Sequence, residues 1–157
     1  MSDWLTTRDL WGDYIRELAN LIGLRDWCLH LMEDPTKDGD ALAEIHPTYG
    51  RKHAQLYLCK DWEELAPETQ RAVALHELLH AQRAGADSYV QNTVDRFVAQ
   101  REYLVWFEGY RQHVEYTVDG LTDHIAPLLP LPPEGTKHGD KAPPPPIPSG
   151  AWAGEET

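Results

Sequence analysis

No stretch of the sequence stays apolar for the roughly 18 residues that a membrane span needs, which argues against a transmembrane helix. Basic residues are scarce: 14 Lys and Arg stand against 26 Asp and Glu, for a formal net charge of −12. A surface of that sign repels phosphate backbones and anionic headgroups, so neither nucleic acid nor a membrane is an expected partner. Cysteine is nearly absent. Cys28 and Cys59 form no CxxC pair and read as two buried thiols in a reducing compartment, not as a disulfide framework. The opening stretch MSDWLTTRDLWGDYIREL lacks a basic segment followed by an apolar run, so no secretory signal is read and the cytoplasm is the expected location. No internal repeat is visible.

What is present is ordinary for a folded domain. The 157 residues are 41% apolar and 25% charged, enough for one domain with a real core. Leu10, Trp11, Tyr14, Ile15, Leu18, Leu21 and Ile22 recur at helical spacing over residues 7–22, and Gly23 is the expected stop. Residues 25–33 alternate like a strand, 34–40 (DPTKDGD) carry turn chemistry, and 41–47 and 53–59 are two further strands. A small, mostly antiparallel three-stranded sheet is expected. Pro67 with acidic neighbours opens a helix that should run to about Arg83 and stop at Gly85. A second helical region should span residues 88–126, with a break near Gly109. The fold class is therefore α+β.

From residue 127 the composition changes. The last 31 residues hold nine of the twelve prolines and little to bury. They are expected to form a flexible tail, leaving residues 1–126 as the domain. The tail's PLPP (130–133), its PPPP (143–146) and Trp152 offer a contact for a protein partner.

The chemistry concentrates in RAVALHELLHAQRAG, residues 71–85. Residues four apart on a helix share a face, so His76 and His80 can present ring nitrogens to one ion. Glu77 is turned about 100° from His76 and reaches the space beside that ion. Two histidines and a carboxylate so arranged suit a zinc that acidifies water and a base that takes its proton. Chance alone gives His-x3-His often in a chain with eight histidines, so the specificity rests on the intervening glutamate and on the flanking Leu75, Leu78 and Leu79. A catalytic zinc takes a third protein ligand. The next helical region offers Glu102, Glu108, His113 and Glu115. Glu115 is favoured, because Asp119 lies four residues on and can hold a histidine by its other N–H. Glu108 lies on nearly the same face and is the rival ligand.

HELLH followed by a later helix carrying ExxxD resembles the gluzincin division of the zincin metallopeptidases. In that resemblance His76, His80 and Glu115 match the zinc ligands, Glu77 the general base and Asp119 the partner of a ligand histidine. The run DWCLHLME, ALAEIHP, HAQLYLC, LHELLHA and EYTVDGLTDHIAPLLPLP, over about residues 24–133, is similar to minimal zincins of the kind often encoded by bacteriophages. The metzincin pattern is ruled out, since AQRAGADS after His80 contains no histidine. The resemblance implies one Zn2+ and hydrolysis of peptide or protein substrates, in a host cytoplasm or with a virion if phage-encoded. It implies an oxyanion donor too, for which His113, Tyr116, Tyr110, Arg111, His53 and Tyr49 are candidates. The substrate is expected along an exposed sheet edge, with 53–59 as that edge. Two rival readings stay open: a zincin-fold binding or structural protein that cuts nothing, such as a phage assembly or host-interaction component, and a domain without metal.

Overall fold

A computed structural model describes residues 3–48 and 50–133. The order is α1 (Asp3–Leu21), β1 (Cys28–Leu31), β2 (Ala43–Pro47), β3 (His53–Leu58), α2 (Pro67–Asp95) and α3 (Gln100–Ile125), with single 3-10 turns at Trp62–Glu64 and Ala126–Leu128. The architecture is α+β, and no described helix is long and apolar enough to cross a membrane.

The apolar stripe of α1 becomes the first layer of the core. Trp11, Tyr14, Ile15, Leu18 and Ala19 are buried against Val73, Ala74, Leu78 and Ala81 of α2 and Leu56 of β3. Gly23 ends the helix at φ +91°, with Leu24 N–H donating to Ala19 O and Gly23 N–H to Asn20 O. This is the glycine-capped stop that the sequence suggested, and a residue bearing a Cβ would be strained there.

The sheet order is β1-β3-β2. β2 and β3 form an antiparallel hairpin, and β1 pairs with β3 in parallel. The expected mostly antiparallel sheet is thus corrected to one pairing of each kind. The hairpin inserts β3 between the other strands, so β1 meets the strand that runs its own way. The same order corrects the expected edge. β3 is central, and the edges are β1 and β2.

α2 is the central helix. Its buried positions run consecutively from Val73 to Leu79 because other elements pack on more than one side of it. Leu75 and Leu79 meet Val114, Val118 and Ala126 in a second apolar cluster toward α3. Neither glycine breaks its helix. Gly85 lies inside α2, spanned by an Arg83–Asp87 ion pair one turn apart. Gly109 lies inside α3, spanned by stacked Trp106 and Tyr110. A mid-helix glycine costs about 1 kcal/mol, which such i,i+4 contacts and burial offset. The chain reverses instead at residues 96–99, RFVA, a stretch without glycine or proline.

Residues 127–132 were expected to start the tail. They lie on the domain: Tyr14 donates to Pro130 O, Arg71 donates to Leu129 O, and Pro132 is buried. PPPP and Trp152 lie outside the described residues.

Candidate metal centre between two helices and a sheet edge

Antiparallel packing of α2 on α3 brings chemistry from distant parts of the chain onto one line. Contacts descend α3 as they ascend α2: His76 meets Asp119, His80 meets Glu115, and Asp87 meets Tyr110. On α2 His76, His80 and Asp87 are four and seven residues apart, and on α3 Glu115 and Asp119 are four apart, so these residues share the face at the seam.

His76 Nε2, His80 Nε2 and Glu115 Oε2 form a small triangle. The two ring nitrogens are 3.1 Å apart, and the carboxylate oxygen lies 3.4 and 3.3 Å from them. Ligand atoms bound at about 2.0–2.1 Å around a tetrahedral ion stand about 3.3–3.4 Å apart, so the triangle fits such an ion with one position left open. Glu115 Oε2 is buried and makes no hydrogen bond of good geometry among the described residues. An orphaned carboxylate oxygen facing two imidazole nitrogens is costly, and a cation satisfies all three at once. Two imidazoles and one carboxylate suit zinc chemistry.

Asp119 Oδ1 lies 3.2 Å from His76 Nδ1. An Nδ1–H donated to that carboxylate leaves the Nε2 lone pair directed at the triangle, which fixes the tautomer a metal ligand needs. His76 itself is 2% exposed, so its orientation is set by packing.

The charges respond to this crowding. Burial pushes Glu115 upward, but the His76 and His80 imidazoles outweigh it and hold the carboxyl at about 2. For His80, burial lowers the pKa, and Glu115 reverses that to a net rise. Burial raises Asp119, against the pull of His76.

Glu77 occupies the adjoining position. It is 7% exposed, and burial pushes its pKa up to about 7 against the pull of the two histidines. The Ile45 backbone N–H is directed at its carboxylate. That places Glu77 against β2. Leu42 O and Thr48 N, at the two ends of β2, bond to Cys59 N and His53 O. By alternation Ala43, Ile45 and Pro47 turn their backbone groups outward. Pro47 has no N–H to leave unpaired there, as suits an edge strand.

A cleft of about 590 Å³ runs between this edge and the helix seam, lined by Glu77, the triangle residues, β2, Asp87, Tyr110 and Arg111. Tyr110 donates its O–H to Asp87 Oδ1 at 2.6 Å, and Arg83 donates to the same oxygen. Burial and then Asp87 raise the Tyr110 pKa, so the phenol keeps its proton. Asp87 was not foreseen as part of this region, although it lies seven residues, two helical turns, after His80.

The other candidates stand elsewhere. Glu108 is half exposed and tied to Arg111 and Gln112, not to the histidines. His113 and Glu102 are exposed, as is Tyr116, by 77%. His53 lies on the outer face of the sheet, and Tyr49 lies outside the described residues. Of the suggested oxyanion donors, the cleft includes Tyr110 and Arg111. No protein family model, no curated protein and no solved structure matches the chain.

Proposed function

We propose that the chain is a small zinc-dependent metallopeptidase of zincin type. The observation that carries this reading is the 3.1–3.4 Å triangle of His76, His80 and Glu115 with Glu77 beside it, at the edge of β2. His76, His80 and Glu115 would hold one zinc, and Asp119 would steady His76. When bound, the ion supplies Lewis acidity that acidifies water and polarises a carbonyl.

The remaining work falls to the chain's own groups. Glu77, beside the triangle and against β2, takes the proton of the attacking water and delivers it to the leaving amine. The outward C=O and N–H groups of Ala43 and the C=O of Ile45 dock an extended peptide by strand addition. The Tyr110 hydroxyl, once its O–H turns away from Asp87, and the Arg111 guanidinium line the same cleft and are the donors it offers for oxyanion charge. The substrate class is an extended peptide or an unfolded protein segment.

The test is Glu77→Gln, which keeps the shape of the side chain and removes the base. Expected is unchanged zinc content with hydrolysis of an unfolded protein lost. Retained zinc with equal hydrolysis would move the reading to another base, and retained zinc with no wild-type hydrolysis would favour the non-catalytic binding protein.

A further inference from the structure

The outer face of the sheet carries a second group of metal-ligating side chains that the proposed peptidase chemistry does not use. β-strand alternation puts Cys28 and His30 on one face of β1. The parallel register sets His53 of β3 directly opposite Cys28. The inner faces of the same strands, Leu29, Leu31, Ala54 and Leu56, belong to the core side, so the three polar residues project away from it.

Their geometry is that of a partly assembled site. Cys28 Sγ lies 3.2 Å from His30 Nε2, and the His30 and His53 rings are 4.7 Å apart at 44°. One ligand atom from each of the three lies within 4.8 Å of the others. A thiolate and an imidazole sharing a tetrahedral zinc stand about 3.6 Å apart, so small rotations of exposed side chains close the set. His53 Nδ1 lies 3.4 Å from Thr48 Oγ1, a partner for the ring nitrogen that faces away from an ion. Cys28 is an exposed free thiol, contrary to the buried thiol expected from sequence, and a thiol in this position is open to metals. Cys59 is also free, so no disulfide competes for Cys28.

We infer that Cys28, His30 and His53 form a second metal site, for a borderline-soft cation of the zinc class, that staples the edge strand β1 to β3. One sulfur and two imidazole nitrogens select zinc-like ions over magnesium or calcium, which require oxygen ligands. On binding, the Cys28 S–H bond breaks, its proton passes to solvent, and the thiolate takes the cation; no redox change is involved. The site joins residues 25 positions apart across a pairing of only four registers, where β1 has no neighbouring strand on its other side among the described residues.

The test is titration of Co2+ alone into the reduced, metal-free full chain, followed by absorption spectroscopy. The helix seam contains no sulfur, so a thiolate-to-cobalt charge-transfer band reports the sheet site alone and does not depend on the peptidase reading. The band is expected in the wild type, in Glu115→Ala and in Cys59→Ser. It is expected to vanish in Cys28→Ser and to need at least tenfold more cobalt in His30→Ala and in His53→Ala. Cys28, His30 and His53 all lie on the outer sheet face, and circular dichroism checks that their variants fold. Absence of the band in the wild type overturns the inference, as does its survival in Cys28→Ser or an unchanged affinity in both histidine variants.

Discussion

Among the described residues lie two clusters of ligand-type side chains, and they are built by different rules. The one between α2 and α3 uses the helical spacing of four, buries His76 almost completely, and backs it with Asp119. The one on the sheet uses the strand spacing of two and a cross-strand partner, and two of its three members are exposed. In the first, packing fixes the side chains before any ion arrives. In the second, the ordering entropy of exposed side chains has to be met at the moment of binding. Residue type and spacing thus nominate a site, while burial and second partners decide how tightly it is held. The helix seam should therefore bind zinc more tightly than the sheet face.

The largest effect should come from Glu77→Gln, which lowers kcat/KM by about 100- to 10,000-fold with the zinc content unchanged. No variant of the sheet cluster should approach that loss, and a similar fall in Cys28→Ser would erase the distinction. Next is Leu75→Ala. Leu75 is fully buried between α2 and α3, so the cavity should lower stability by about 2–5 kcal/mol in denaturant unfolding and loosen the seam that aligns the ligands. Asp119→Ala should weaken zinc binding about 10- to 100-fold in a competition titration, with stability nearly kept. The smallest effects are the controls. Glu108→Ala should leave zinc affinity unaltered, and Cys28→Ser should shift metal-free stability by less than about 0.5 kcal/mol, as an exposed substitution does.

The grouping of side chains at the helix seam was legible because it depends on short-range spacing. His76, Glu77 and His80 declare themselves within five residues, and Glu115 with Asp119 repeats the spacing on one later face. Less legible was everything set by how elements pack. Gly85 and Gly109 read as breaks, yet Arg83–Asp87 and Trp106–Tyr110 carry the helices through them. The true reversal at 96–99 has no punctuating residue. The place of β3 at the centre of the sheet follows from which strands meet, which alternation along one strand does not encode. The exposure of Cys28 follows from that same arrangement. Tyr110 and Asp87 become neighbours because α2 and α3 run antiparallel, and no local pattern links residues 23 apart.

The most direct test of the account is a competition titration of zinc against a chromophoric chelator in the Cys28→Ser background, with and without Glu115→Ala. The sheet cluster is then disabled, so the helix seam is read alone. One equivalent of tightly held zinc is expected in Cys28→Ser, with a loss of affinity of at least about 100-fold when Glu115 is also removed. Equal zinc binding with and without Glu115 would contradict it.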